Sequence, residues 1–170
     1  MIKIVKYPNI ILNTTSKEVK SEEINEINAL SSEITTYIKN KCYKGFGTIS
    51  LCQVGILKRI FIARLPAIEL TVINPILIRA FGGTTKSWEM CLSVPEFVGK
   101  VRRHKKVEVE FLDLNFKSVH ITLSQPLSRI FLHEVDHLDG KLFLDRIEDK
   151  QTDLMSREDY FSRKSRKDEQ

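Results

Sequence analysis

With 170 residues, the chain has room for one domain with a substantial core. Its 29% charged and 42% hydrophobic residues place it with ordinary globular proteins and exclude a disordered or low-complexity polymer, while the formal charge of +5 permits an acidic partner without requiring one. No apolar run approaches the ~20 residues of a membrane-spanning helix, so a membrane role is not expected. The opening stretch, Met1 to Asn9, lacks the continuous apolar segment and small-residue cleavage site of a signal peptide, and the expectation is cytoplasmic residence. From Ser21 to Asn40, the positions Ile24, Ile27, Leu30, Ile34, Tyr37 and Ile38 fall at helical spacing, with Glu22 and Glu23 at the positive end. Strand-like runs follow at Arg59–Arg64 and Leu70–Asn74, then at Val107–Leu112 and Val119–Leu123, where Val107, Val109 and Phe111 alternate with Glu108 and Glu110. Between them, Lys100 to Lys106 is the densest basic stretch; without interleaved aromatics it reads as a solvated hairpin, and no DNA-binding motif accompanies it. A second helix is expected after Ser124 and Pro126, ending at Gly140, with Leu127, Ile130, Phe131 and Leu138 on its apolar stripe. A helix, several strands and a closing helix give an α+β fold, antiparallel sheets packed around a central helix. The expected division is a catalytic domain over 1–150 and a charged tail over 151–170 that forms a short helix and then frays.

The closing helix carries His133-Glu134-Val135-Asp136-His137, an H-E-x-x-H pattern. Positions i and i+4 share a helical face, so both imidazoles can ligate one divalent cation while Glu134 handles a water's proton. Glu134 also falls on the apolar stripe, and a buried carboxylate calls for a partner. A third ligand has to come from elsewhere. His104 sits in the charged run and His120 in a strand-like segment; Cys91 sits in a non-repetitive, turn-like passage, Trp88 to Pro95. The three cysteines, Cys42, Cys52 and Cys91, form no C-x-x-C pair and suit a reducing compartment.

Three separated segments resemble peptide deformylases. The family's H-E-x-D-H-L-x-G followed by L-F-x-D reads here as His133 to Gly140 and Leu142 to Asp145, its E-G-C-L-S as Glu89 to Ser93, and its G-x-G-L-A-A-x-Q, more loosely, as Gly45 to Gln53. Met90 replaces a glycine, Leu132 replaces the glutamine before the first His, and Thr48-Ile49-Ser50-Leu51 lies over G-L-A-A. The resemblance implies Cys91, His133 and His137 as metal ligands and Glu134 as general base and then acid. It implies Gln53 and the backbone N–H of Leu92 as oxyanion donors. Glu89, Arg103 and Asp136 are the residues expected to orient the imidazoles or pair with one another, and Cys52 lines the site without ligating. Gly47, Met90 and Ile130 are expected to line the substrate path, with a methionine pocket open near Ile130 and Leu132. The implied metal is Fe2+, with Zn2+, Ni2+ or Co2+ able to occupy the same donors. The implied reaction removes the N-formyl group from the initiating methionine of nascent peptides and releases formate, with the ribosome as a further partner. Two alternatives stay open: an H-E-x-x-H amidase with a changed acyl substrate, and a noncatalytic paralogue that binds nascent chains or ribosomes.

Overall fold

The continuous apolar run at Ile60–Ile62 and the alternation at Val107–Phe111 seed one antiparallel sheet, described in a computed structural model over residues 2–168. A single turn of 3-10 helix at Ser21–Glu23 leads into α1 (Ile24–Lys41), which the periodic isoleucines press against the sheet. Strands β1 (Gly47–Ser50), β2 (Ile60–Leu65), β3 (Ile68–Cys91), β4 (Val94–Leu112) and β5 (Ser118–Ser124) lie in that order across the sheet. Then come α2 (Leu127–Leu138), α3 (Lys150–Asp153), β6 (Leu154–Ser156) and α4 (Arg157–Asp168), with β6 pairing with β4 at Phe97–Gly99.

Two strand expectations need correction. The run at Leu70–Asn74 is only the start of β3, a strand of 24 residues, and Val107–Leu112 is only the end of β4. Beyond the core the two form a long hairpin whose β3 arm is solvated on both faces from Ile76 to Ser87, so no apolar alternation marks it. Its register shifts between Phe81 and Thr84, where Gly82 and Gly83 take positive φ of 75° and 74° that few other residues adopt. The basic stretch of Lys100–Lys106 lies in this hairpin, and it is not a uniform solvated patch: Arg103 is buried and Arg102 pairs with Glu148.

Helix α2 packs its apolar stripe onto the sheet, where Phe131 meets Phe61 edge-on at 5.7 Å between ring centroids and Leu138 closes the same cluster. Ser124 is not its cap, since that residue ends β5 and the helix starts directly after Pro126 without a side-chain cap. Its end is as expected. Gly140 has φ +69°, and a Cβ there would stand 2.8 Å from the carbonyl carbon of Asn13, so only glycine lets the amino-terminal segment cross. That segment is tied down by hydrogen bonds from Ser16 N to Leu138 O (2.8 Å) and from Tyr7 N to Ser93 O (2.9 Å). The helix is thereby clamped between sheet and amino terminus, with its motif facing the hairpin turn.

Candidate metal centre

Cys91 is the last residue of β3, and Leu92-Ser93 form the two-residue turn into β4. The passage expected as a turn is thus strand, turn and strand, and the turn is what aims the thiol at α2. One donor atom each from Cys91, His133 and His137 lies within 4.8 Å of the others, close enough for one ion bonded at about 2.0–2.3 Å to each. Cys91 Sγ stands 3.1 Å from His137 Nε2. Burial would push the Cys91 thiol up, but the two imidazoles outweigh it and bring its pKa down to about 6. His133 moves the other way: burial works against its charge, yet the Cys91 sulfur and the Glu89 carboxylate raise it well above its ordinary value. Such a thiolate–imidazole set is the chemistry a divalent transition metal takes, so the donors fit one.

The carboxylate of Glu89, buried next to Cys91, accepts a hydrogen bond from His133 Nδ1 at 2.9 Å, which leaves Nε2 of that ring free to ligate. It also receives Arg103 through Nε and Nη2, both at 3.0 Å, and Arg129 Nη1 at 2.7 Å. Arg103 bridges onward to Asp136, which Arg146 grips from the other side. Asp136 therefore acts on Arg103, and no hydrogen bond joins it to either imidazole of the motif among the described residues. His137 Nδ1 is buried without a hydrogen-bond partner among the described residues.

Gln53 is fixed at both ends. Its Oε1 accepts from the backbone N–H of Ser50 at 2.9 Å, which turns Nε2 toward Cys91 Sγ (3.4 Å) and Ser93 Oγ (3.1 Å), facing the metal donors. Leu92, in the turn, lines the same cleft of about 530 Å³, as do Gly47, Met90, Ile130 and Glu134. Met90 is exposed there, so the side chain that stands in place of a glycine projects into the approach. Leu132 does not share it. One helical face away, it lines a separate cavity of about 890 Å³ whose arginines are neutralised by Asp136, Asp139 and Glu148.

Cys52 is buried behind the site, hydrogen-bonded to His137 O, and burial holds its thiol at about 12, so it stays protonated and outside the ligand set. His104 is exposed and His120 pairs with Glu108 on the surface; neither joins the donors. Sequence reasoning missed Arg129, although it stands one helical turn before His133, and it missed Thr48 and Ser50. The last two donate to the Glu134 carboxylate, Thr48 Oγ1 to Oε1 at 2.5 Å and Ser50 Oγ to Oε2 at 2.7 Å. The signal was their two-residue spacing on a strand, which puts both hydroxyls on one face.

The polypeptide deformylase family model matches residues 1–153. A peptide deformylase of Syntrophomonas wolfei is 35% identical over 144 residues, covering 84% of this chain and 91% of that protein. One from Thermomicrobium roseum is 41% identical over 118 residues, covering 64% of this chain and 66% of the relative. Among solved structures, a peptide deformylase from Thermotoga maritima superposes with a TM-score of 0.78 at 29% identity, covering 88% of this chain and 99% of that one. The α+β architecture expected from the sequence is the one these relatives share, and none of them favours a changed acyl substrate or a noncatalytic role.

Proposed function

The chain belongs to the polypeptide deformylase family, and from that premise we propose that it hydrolyses the N-formyl group from the terminal methionine of nascent peptides, releasing formate. The observation that carries the reading is the meeting of three sets of groups in one cleft: the Cys91–His133–His137 donors, Glu134, and the oriented Gln53 amide. Cys91, His133 and His137 would hold one divalent ion, Fe2+ in our reading, with Zn2+, Ni2+ or Co2+ able to take its place. When bound, such an ion supplies Lewis-acid polarisation and activates water near neutral pH.

The chain's own residues do the rest. Glu134 takes a proton from the attacking water and delivers it to the amide nitrogen as the carbon–nitrogen bond breaks. The Gln53 Nε2–H and the Leu92 N–H face the oxygen on which negative charge develops. Glu89, held by Arg103 and through it by Asp136, fixes the tautomer and tilt of His133. Gly47, Met90 and Ile130 line the space for the methionine side chain, and Met90, flexible and polarizable, suits an apolar thioether there.

The catalytic unit in this reading runs over residues 1–150, and residues 151–170 attach to it through β6 and carry exposed cations, Arg157, Arg163 and Lys164, toward ribosomal RNA. A cytoplasmic location follows from a ribosome-borne substrate; no helix among the described residues is long and apolar enough to cross a membrane. The test is formate release from formyl-Met-Ala-Ser by anaerobically purified protein. Wild type turns the peptide over, and Glu134→Ala keeps its metal while losing about three or more orders of magnitude in kcat, within the span seen when a proton-transfer group is removed. A metal-loaded wild type that releases no formate overturns the reading.

A further inference from the structure

Glu134 is the base of the proposed reaction, and the residue is only 1% exposed at the floor of the cleft. An ionised carboxylate so far from water needs partners, and among the described residues no lysine or arginine pairs with it. What meets it are two hydroxyls of β1, Thr48 on Oε1 and Ser50 on Oε2. Ser50 Oγ also lies 3.2 Å from the Glu134 carbonyl, so one hydroxyl touches both ends of the residue. Its backbone N–H is the donor that orients Gln53, and thus a single residue fastens both the base and the oxyanion amide. β1 is the edge strand, paired through Thr48 to Ala63 and Ser50 to Phe61, which holds these hydroxyls in register against α2.

Resting on the deformylation reading, the geometry points to Thr48 and Ser50 as positioning residues that clamp the Glu134 carboxylate in its working orientation, Thr48 from the cleft wall and Ser50 from the interior. Neutral hydroxyls suit the task for a chemical reason. A hydroxyl donates to a carboxylate and, after rotating, accepts from a carboxylic acid, so both partners remain usable on either side of the proton transfer. An arginine would favour the ionised form and resist the second half of the cycle.

The experiment compares Thr48→Val, Thr48→Ser and Ser50→Ala, alone and in a Glu134→Gln background, with metal content and thermal midpoint measured for each. Thr48→Val should lower kcat by on the order of tenfold with KM within about twofold, the signature of a misplaced catalytic group. Thr48→Ser should recover most of the loss. In the Glu134→Gln background, where the clamp holds no carboxylate, Thr48→Val should change the residual rate by less than about twofold. Ser50→Ala, which removes the other hydroxyl without adding bulk, is judged by its fall in kcat at near-constant KM and by the absence of that fall beside Glu134→Gln if Thr48→Val does not fold. A readout independent of turnover is the 13Cδ resonance of Glu134, assigned by its loss in Glu134→Gln; it should move in Thr48→Val and return in Thr48→Ser. Unchanged kcat in folded, metal-loaded Thr48→Val and Ser50→Ala overturns the clamp, as does a loss that Thr48→Ser fails to restore or that persists equally beside Glu134→Gln. A wild type without formate release overturns the deformylation reading instead, and the Glu134 resonance then still decides whether the hydroxyls hold its carboxylate.

Discussion

Glu89→Gln is the substitution that separates orientation of a metal ligand from ligation itself. The carboxylate accepts from Arg103 twice, from Arg129 once and from His133 once, all between 2.7 and 3.0 Å and all largely out of solvent. Glutamine keeps the volume, removes the charge, and turns an NH2 toward donors that cannot accept it. Breaking a buried ion pair by removing one partner costs about 3–5 kcal/mol; because Arg103 keeps Asp136, the lower end applies, about 3 kcal/mol. For a domain of this size that is a fall of roughly 6–12 °C in Tm for the metal-free protein. His133 loses the acceptor that fixes its ring, so metal affinity should drop about 10- to 100-fold, measured by competition with a chelator.

The pH dependence gives the sign independently. Burial would raise the Glu89 carboxyl, but His133 and Arg103 hold it well below its ordinary 4.5, so its stabilisation is complete above that value and is lost as pH falls toward the depressed one. The Tm gap between wild type and Glu89→Gln should therefore hold from neutrality down to about 4.5 and narrow as pH falls below that value. A gap that stays constant below that value, or a Tm and metal affinity equal to wild type, refutes the account.

Two further outcomes can be measured on the same preparations. Gln53→Ala should cost about 10²–10³ in kcat with a smaller change in KM, since the donor faces charge that develops only in the transition state; a loss below about threefold would place the oxyanion elsewhere. Loading the metal-free protein with Zn2+ should release about one proton near pH 7.5, because Cys91 is already a thiolate there while His133, raised by its neighbours, must give up a proton to ligate. Below pH 6 Cys91 is protonated too, and the count should climb toward about two. Calorimetric titration in buffers of different ionisation enthalpy reads this number, and zero release at neutral pH contradicts the assignment.

The amino-acid sequence by itself determined whatever depends on short-range periodicity. The isoleucines from Ile24 to Ile38 and the stripe from Leu127 to Leu138 specify helices because burial on one side repeats every three or four residues, and the i, i+4 spacing of His133 and His137 places two donors on one face. Only the tertiary structure decided the rest. The solvated β3 arm of the hairpin leaves no alternation to read, so the strand that delivers Cys91 stayed hidden although the residue itself stood out. Contacts across 86 and 84 positions, Thr48 and Ser50 on Glu134, exist because strand pairing brings an edge strand against a helix; the two-residue spacing puts both hydroxyls on one face, but which carboxylate they meet is decided only by folding. Likewise Leu132 and Ile130, two residues apart in sequence, open on different cavities because a helix turns about 200° between them. Which side chains carry the chemistry follows from type and spacing; what holds each one still is set by burial and by partners the chain reaches only after folding.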